Sequence, residues 1–375
     1  MLSPEGCKTR LGRFAEIVGR RGLDLALVSE PKHLYYLAGV PVSPVPRPLL
    51  LMVRPGSEAL LLAGSENAAG ACFDGEVVVH PGYDLDHRML TFAEEAVPPL
   101  EDALAAKDGS VGRIGTEARH LPLIYRTMLS RLYPDAVLDD VSTVIPEMRW
   151  VKDEDELALI RRSESLVALG YRVAKEEMEE GRTEVEIYGA GLAACAKEVG
   201  GPVFFGGDFV SGERSLGIGG PPTDRALKNG ETLILDLWAE FEGYWADTCR
   251  TFVVGRKPSA EQIRVHDVLM RATDAGRAKL RPGVRANEVY RAVFDLIAAE
   301  GWGAAFPHHA GHGIGLDGQE APFFIPGCDH VLEEGMICTL EPGVYRPEAG
   351  GIRAEDNYRI TASDPEVLTE FPHGL

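Results

Sequence analysis

The sequence predicts two domains: an α/β domain over residues 1–145 and a larger domain of helices and strands over residues 146–375. Three observations support this fold class. A chain of 375 residues is long for a single hydrophobic core. Short apolar strands alternate with helical segments before Ile145, which is typical of helices that cover a sheet. The composition then changes near Ile145, where a long and strongly charged helix begins.

The predicted elements of the first domain follow from apolar periodicity and turn residues. Residues 54–57 indicate a hairpin turn. No cluster of polar residues in this domain resembles a site, so we interpret it as an accessory domain. Predicted strands cover residues 23–28, 49–53, 59–62, 77–80, 111–115 and 136–138, and predicted helices cover 8–21, 31–37, 87–106 and 121–132.

The second domain begins with the charged helix, for which Asp153 is the expected N-cap. Ser259 and Gln262 form the pattern of a capping box at the start of a later helix. Residues 200–220 are rich in glycine and are expected to form loops and short strands. Predicted helices cover residues 154–179, 184–198, 259–280 and 287–300.

Composition excludes several classes of function. The chain is 45% hydrophobic and 26% charged, and 38 basic against 58 acidic residues give a formal charge of −20. That balance argues against nucleic acid and anionic membranes as partners. Six cysteines show no CxxC pair, so neither a disulfide framework nor a thiolate zinc site is expected. No apolar run is long enough to span a membrane. We therefore expect a cytoplasmic protein.

Residues 232–253 read as two strands around a turn at Glu242-Gly243, and they carry Asp236 and Asp247. If the hairpin folds about residues 241 and 242, Asp236 faces Asp247 and Trp238 faces Trp245 on the same side. Two acids on an apolar face repel each other and lose hydration, so the pair requires a proton or a cation. A solvated hairpin with outward acids is the alternative that this stretch alone leaves open.

Three further groups lie downstream. His308, His309 and His312 stand among glycines that argue against a helix. Because Ala321-Pro322 follows where a helix should start, the GxGxxG pattern here does not predict a dinucleotide site. A strand then carries Glu341 into a Pro-Gly turn, and another carries Arg353 and Glu355. If these strands pair, the two glutamates can lie opposite each other, with Arg353 directed to the same side. The alternative for each glutamate is a surface position beside a turn.

Together these segments supply four carboxylates and one imidazole, whose formal charge of −4 matches two divalent cations. Oxygen ligands with one imidazole suit manganese, iron, cobalt or zinc. Two ions about 3.5–4 Å apart can activate water for attack on a carbonyl carbon or a phosphorus atom. The candidate ligands are Asp236, Asp247, His312, Glu341 and Glu355.

The order D(x10)D, HxxxHGIG, EPGVY and GIRAED resembles the pita-bread metallopeptidases, which include aminopeptidase P, prolidase, methionine aminopeptidase and the metal-free creatinase. The stretches GLDLALVSEPKHLYYLAGV and WVKDEDELALIRRSE look like the aminopeptidase P/prolidase branch. The resemblance covers nearly the whole chain. It implies an α/β N-terminal domain, an α+β pita-bread catalytic domain, two divalent ions (manganese, cobalt or zinc) and a homodimer.

The resemblance also implies roles for the candidate residues. Asp236 would be a terminal ligand, Asp247 and Glu355 would bridge the ions, and His312 and Glu341 would complete the second ion. Three catalytic roles come with it: His308 matches a histidine that contacts the substrate or its tetrahedral intermediate, Glu341 can accept a proton from the attacking water, and Arg353 matches an arginine that holds a ligating carboxylate.

Three positions depart from the family pattern. Gly219 and Gln319 stand where proline-specific members place histidines, and Trp238 stands where small residues are common. Glycine cannot transfer a proton, and a glutamine amide can donate a hydrogen bond but cannot exchange a proton near neutral pH.

Three functions therefore remain open. The leading one is a dinuclear-metal hydrolase that cleaves beside proline in Xaa-Pro peptides. The alternative is a metal-dependent hydrolase or lyase of the same fold that acts on a small molecule without proline. A binding or structural protein is the third, and a complete set of mutually repelling ligands argues against it.

Overall fold

The computed structural model describes residues 1–43, 48–56, 58–80, 92–106 and 110–375. The chain divides into two compact units, Met1–Arg149 and Trp150–Leu375. The division follows Arg149 rather than Ile145, because a short helix at Val144–Met148 lies with the first unit. The Tyr36 hydroxyl donates to the carbonyl of Met148 at 3.0 Å. No helix in the described ranges is long and apolar enough to cross a membrane.

The first unit is built on a mixed sheet of β1 (Leu25–Val28), β2 (Leu50–Val53), β3 (Ala59–Ala63), β4 (Glu76–Val79), β5 (Arg113–Thr116) and β6 (Val137–Asp140). Their order across the sheet is β4-β3-β2-β1-β5-β6. The β1–β2 and β2–β3 pairs are antiparallel, whereas β3–β4, β1–β5 and β5–β6 are parallel. Apolar side chains of the sheet and of two covering helices form one core.

The predicted strands of this unit are confirmed to within about two residues, the usual uncertainty of element ends. The first helix starts earlier than predicted because the Ser3 hydroxyl accepts the N–H of Gly6 at 2.9 Å. Residues 87–91 of the third predicted helix and Ser57 of the predicted turn lie outside the described residues. The helices are α1 (Pro4–Arg20), α2 (Pro31–Ala38), α3 (Phe92–Ala105), α4 (Leu123–Leu132) and α5 (Val144–Met148).

In the second unit, helices α6 (Glu154–Glu177) and α7 (Glu184–Val199) pack on an antiparallel sheet of β7 (Phe204–Ser211), β8 (Thr232–Phe241) and β9 (Tyr244–Val253). The Tyr171 hydroxyl of α6 donates to the carbonyl of Leu235 in β8 at 3.1 Å. The eight-residue strand β7 lies in the glycine-rich segment, where loops and short strands were expected, and it is longer than that expectation. This sheet forms one wall of the candidate site.

Helices α8 (Ala260–Arg277) and α9 (Ala286–Ala299) cover the second apolar core of this unit. The predicted capping box of α8 is confirmed: Ser259 N–H donates to Gln262 Oε1 at 2.8 Å, and Gln262 N–H donates to Ser259 Oγ at 3.2 Å. The remaining strands are β10 (His312–Gly313), β11 (Glu320–Phe323), β12 (Ile337–Leu340), β13 (Gly343–Arg346), β14 (Gly350–Arg353), β15 (Asp356–Arg359) and β16 (Glu366–Val367).

The β8–β9 hairpin turns through Glu242 and Gly243, whose φ values are 50° and 86°. Positive φ at both positions is the two-residue hairpin geometry that matches strand twist. The predicted register was wrong: Asp236 lies opposite Cys249, and Asp247 lies opposite Trp238. The turn is centred one residue further along the chain than assumed, which moves the register by two residues. A shift of two preserves the face, so the two aspartates remain diagonal neighbours on one side.

Strands β12–β13 and β14–β15 form one long antiparallel arm with a break in its middle. Leu340 pairs with Asp356 on one side of the break, and Gly343 pairs with Arg353 on the other. The register is the same on both sides, so the intervening Glu341 and Glu355 occupy facing positions within the break. The sheet break therefore places two glutamates opposite each other, as their even spacing predicted.

Candidate metal centre

The two aspartates of the β8–β9 hairpin point into the protein. Asp236 is 7% exposed and Asp247 is 9% exposed. The alternative of a solvated hairpin with outward acids is therefore wrong. The flanking strand β7 extends the same face, because it pairs with β8 and places Asp208 opposite Asp236.

The two glutamates reach the same place because their backbones are tied to other segments. Glu341 N–H donates to the carbonyl of Ala310 at 2.9 Å, and Glu355 N–H donates to the carbonyl of Cys249 in β9 at 3.0 Å. Both side chains are buried. These hydrogen bonds join the long arm to the histidine segment and to the hairpin, so distant parts of the chain converge.

His312 supplies an imidazole to this group. Its Nδ1 lies 2.9 Å from the carbonyl of Gly313 and must donate to it, because a carbonyl only accepts. Nε2 is then free to act as a ligand, and it lies 3.5 Å from Glu341 Oε1 and 3.7 Å from Asp247 Oδ2. Ligand atoms of Asp247, His312 and Glu355 all lie within 4.8 Å of one another.

Several carboxylate oxygens of the cluster are buried without a hydrogen-bond partner among the described residues. They are Asp236 Oδ1, Asp247 Oδ1, Glu355 Oε1 and Glu355 Oε2. Buried polar atoms are normally satisfied, and a carboxylate left bare in the interior is costly. Hard oxygen donors with one neutral imidazole match the preferences of divalent cations. The residues present thus fit a divalent metal site.

The protonation equilibria of the cluster agree with this fit. Burial raises the pKa of Asp236 to about 6, against the lowering effect of Arg353. Burial and neighbouring carboxylates raise the pKa of Asp247 and of Glu355 well above their ordinary values. Burial also acts to raise the pKa of Glu341, but the adjacent histidines lower it to about 2. Without a cation, the cluster therefore holds protons that a divalent ion would displace.

The Arg353 guanidinium lies behind Asp236, at the position that the family resemblance implied. Its Nη2 donates to Asp236 Oδ2 and, at 3.0 Å, to Asp208 Oδ2. Its Nη1 donates to the Tyr345 hydroxyl and to the carbonyl of Ile218, both at 3.1 Å. Sequence reasoning missed Asp208. The signal that could have found it is an acid directly after the glycine pair 206–207, in a stretch that ends in Phe209-Val210.

The histidines beside the cluster differ in their contacts. Both ring nitrogens of His308 are occupied, with Nδ1 2.7 Å from the carbonyl of His309 and Nε2 2.9 Å from the Tyr345 hydroxyl. His309 Nδ1 lies 3.2 Å from Glu341 Oε1, although the two are not aligned as a hydrogen bond. Its side chain is 27% exposed. His309 is therefore the accessible histidine that faces the cluster, and the substrate-contacting role of His308 stays a prediction.

Two of the positions that depart from the family pattern, Gly219 and Trp238, lie beside the same cluster. A Cβ atom at Gly219 would lie 2.0 Å from Asp208 Oδ2, and Gln319 is exposed. Trp238 shares the hairpin face with Asp236, as predicted, and its Nε1 is buried without a partner in the described part of the chain.

The predicted contact between the two tryptophans of the hairpin was wrong. Trp245 lies opposite Glu240, and its ring packs on Phe204 with centroids 4.9 Å apart. The shifted hairpin register is the cause, because it pairs Trp238 with Asp247 instead.

Comparisons with known proteins agree with this architecture. The family description "Metallopeptidase family M24" matches residues 158–362, and "Creatinase/Prolidase N-terminal domain" matches residues 10–151. An uncharacterized peptidase of Staphylococcus aureus strain USA300 is 26% identical over 367 residues, which cover 97% of this chain and 99% of the relative.

Solved structures show the same likeness along the whole chain. An Xaa-Pro dipeptidase from Bacillus anthracis matches with a TM-score of 0.85 at 24% identity, covering 98% of this chain and 99% of that chain. A prolidase from Pyrococcus horikoshii OT3 matches with a TM-score of 0.80 at 25% identity, with the same coverage. These likenesses confirm the predicted fold class, an α/β N-terminal domain followed by an α+β pita-bread domain.

Proposed function

The chain belongs to metallopeptidase family M24, and from that premise we propose that it is a dinuclear-metal hydrolase that cleaves the bond beside proline in Xaa-Pro peptides. The family makes it a peptidase-like hydrolase, whereas the second ion and the proline preference are proposals. The metal site rests on one observation: ligand atoms of Asp247, His312 and Glu355 converge within 4.8 Å, beside carboxylate oxygens that have no partner in the described structure. The proline preference rests on the likeness to the prolidase from Pyrococcus horikoshii OT3.

The residues that would hold the ions follow from the contacts. Asp247, His312, Glu355 and Glu341 surround one position. Asp236 would supply the terminal ligand of the second ion. Its Oδ1 has no partner among the described residues, whereas its Oδ2 accepts from Arg353. Divalent ions in such a site polarise a carbonyl group and lower the pKa of water. We propose manganese, cobalt or zinc, all of which suit this donor set.

The chain's own groups would move the proton. Glu341 would accept the proton of the attacking water; its low pKa, about 2, keeps it ionised at neutral pH but makes it a weak base. Burial acts to lower the pKa of His309, but the Glu341 carboxylate raises it, so this imidazole can pass a proton to the leaving amine. Burial lowers the pKa of His308 to about 4, so it is neutral. His308 would have to release Tyr345 in order to contact substrate.

The test is a matrix of metals and substrates. Protein stripped with a chelator is reloaded with Mn²⁺, Co²⁺ or Zn²⁺ and assayed on Xaa-Pro dipeptides and on longer peptides with proline at the second position. We expect turnover with at least one metal and none with Glu355→Gln. Uptake of metal without turnover of any proline substrate would contradict the proline preference. Failure of the protein to take up any of these metals would contradict the whole proposal.

The alternative, hydrolysis or lysis of a small molecule without proline, is favoured by Gly219 and Gln319. The structure sharpens the test, because a histidine at position 219 has no room until Asp208 is removed. The informative variant is therefore Gly219→His with Asp208→Ala and Gln319→His. If it gains Xaa-Pro activity that the natural protein lacks, and the natural protein acts on amides without proline, the alternative stands.

We also propose a homodimer and a cytoplasmic location. The homodimer rests on the family resemblance alone. All six cysteines are free, which suits a reducing compartment. Sedimentation velocity at micromolar concentration tests the assembly, and a single monomeric species would contradict it. Fractionation of the source cells tests the location.

A further inference from the structure

A carboxylate from β7 occupies the volume of the side chain that position 219 lacks. Asp208 pairs with Asp236 across the β7–β8 ladder, and its side chain is 19% exposed. A Cβ atom at Gly219 would lie 2.0 Å from Asp208 Oδ2 and 2.5 Å from Asp208 Cγ. No side chain fits at position 219 while Asp208 keeps this position, so the two residues are sterically coupled.

Both oxygens of Asp208 make hydrogen bonds toward the site. Oδ2 accepts from Arg353 Nη2 at 3.0 Å, and Oδ1 accepts from the N–H of Gly220 at 2.8 Å. The same Nη2 donates to Asp236 Oδ2, which leaves Asp236 Oδ1 available as a ligand. The direction in which Asp236 presents that oxygen thus depends on an arginine held between two acids.

The loop at residues 217–220 is strained and needs these partners. Ile218 has φ 76° and ψ −61°, and the N–H of Gly219 donates to the carbonyl of Gly217 at 3.0 Å. This is a γ-turn of the rare type with positive φ, at a β-branched residue that disfavours it. Such a conformation persists only where its surroundings enforce it. Arg353 donates to the Ile218 carbonyl at 3.1 Å, and Asp208 accepts the N–H of Gly220 at 2.8 Å.

We propose that Asp208 is a positioning residue: it takes the space of a side chain at 219, holds Arg353 against Asp236, and fixes the loop at residues 217–220. The part of this inference that concerns metal affinity rests on the proposed function. The steric part does not. The consequence for chemistry is that this side of the pocket presents a carboxylate already engaged by an arginine, where proline-specific relatives are expected to present an imidazole.

A double-mutant cycle tests the inference with Asp208→Ala, Gly219→Ala and the two combined. Each metal-free protein is titrated with Mn²⁺ by calorimetry, the visible spectrum is recorded after loading with Co²⁺, and the melting temperature is measured without metal. We expect each single substitution to weaken Mn²⁺ affinity about 10–100-fold, the usual effect of losing a residue that orients a ligand. We expect each also to change the Co²⁺ spectrum.

The double variant should bind Mn²⁺ no more weakly than Asp208→Ala alone, because the added methyl group then has room. Asp208→Asn should keep part of the affinity, since its amide oxygen can still accept the N–H of Gly220. Gly217→Ala is the matched control in the same loop. No described atom lies within 4 Å of its Cβ position, so affinity, spectrum and melting temperature should stay unchanged.

Two results would overturn the inference: Gly219→Ala behaving like Gly217→Ala, or single effects that simply add in the double variant. If the natural protein takes up no Mn²⁺, Co²⁺ or Zn²⁺, the proposed function fails, but the steric coupling is still measured. In that case the Gly219→Ala variant must melt at a lower temperature than the natural protein. The double variant must melt no lower than Asp208→Ala alone. Any other pattern rejects the coupling.

Discussion

Two sets of buried carboxylates in the second unit have opposite surroundings. Glu184 is 0% exposed, and five donors satisfy it: the N–H and hydroxyl of Ser211, the N–H and hydroxyl of Thr223, and Arg214 Nη1. Glu355 is 1% exposed, yet neither oxygen has a partner in the described residues. Burial alone therefore does not distinguish a structural acid from a functional one.

The difference lies in the donors around each acid. A buried carboxylate surrounded by N–H and O–H groups stabilises its own loop and needs no ligand. Buried carboxylates that face one another repel, and the fold keeps them only if something else neutralises them. The Glu184 network is therefore interpreted as architecture, and the cluster around Glu355 as a binding site. Substituting one acid from each group tests this contrast.

Asp247→Asn should abolish hydrolysis, because it removes a charged ligand. We expect activity to fall by more than about 100-fold, beyond the loss typical of residues that only orient a ligand. The metal-free variant should melt at the same temperature as the natural protein or higher, since one repelling acid is gone. The control is Asp364→Asn, whose side chain is 80% exposed and which should change neither property. Unaltered turnover by Asp247→Asn would show that this cluster is not the functional site.

Glu184→Gln should have the opposite profile. The amide would direct a donor at the N–H of Thr223 and remove the counter-charge of Arg214. Breaking a buried ion pair costs about 3 kcal/mol or more of unfolding free energy, measurable by urea denaturation. Glu355→Gln, measured without metal, is the matched comparison and should cost little or nothing. Equal losses in the two variants would show that both acids are structural.

Stability of the metal-free protein should fall as pH rises above about 7. The pKa values of Asp247 and Glu355 are raised in the folded state, so the folded protein binds more protons than the unfolded chain in this range. Stability then decreases with increasing pH. The lowered pKa values of His308 and His312 act only below their ordinary value of 6.5.

A second buried acid contributes to the same trend. Burial raises the pKa of Glu164 to about 8, and Glu164→Gln removes its share. Saturating Mn²⁺ should remove the cluster's part of the slope, because the ions replace the protons that the folded protein would otherwise bind. Denaturation curves at pH 7, 8 and 9, with and without Mn²⁺, measure this. If the pH dependence of the unfolding free energy is the same with and without Mn²⁺, the cluster does not bind the metal.

Trp238→Phe tests an unpartnered donor on the same face. Its Nε1 is buried without an acceptor in the described chain, so we expect it to bind a carbonyl or carboxylate oxygen of the substrate. Losing one such hydrogen bond costs about 1 kcal/mol, or roughly a fivefold rise in KM with little change in kcat. Trp245→Phe, on a ring packed against Phe204, is the control. Equal KM values for both variants would contradict a role in substrate binding.

Much of the fold and most of the cluster could be predicted because local rules determine them. Alternation along strands places Asp236 and Asp247 on one face, and an error of two residues in register leaves that face unchanged. The even spacing of Glu341 and Glu355 likewise predicted that they face each other, and they do because the arm keeps one register across its break. We grouped these acids with His312 because buried carboxylates require a cation and an imidazole is a common additional ligand.

Asp208 could not be found in this way. Gly206 and Gly207 give its strand little intrinsic β propensity. The strand exists because it pairs with β8, where a Cβ atom at Gly207 would lie 1.9 Å from the carbonyl oxygen of Asp236. Contact between β7, the loop at Gly219 and Arg353 joins residues far apart along the chain, and no local pattern encodes it.

Periodicity and composition are local properties, so the sequence was enough to predict the carboxylates and the imidazole of the cluster, the hairpin that carries two of those carboxylates, and the division into two domains. Tertiary packing determined which of these acids lack hydrogen-bond donors among the described residues, that both His309 and His312 lie near Glu341, and which side chain occupies the space beside Gly219. Those features depend on which distant side chains share a volume, and excluded volume and hydrogen-bond supply are settled only when the segments pack together.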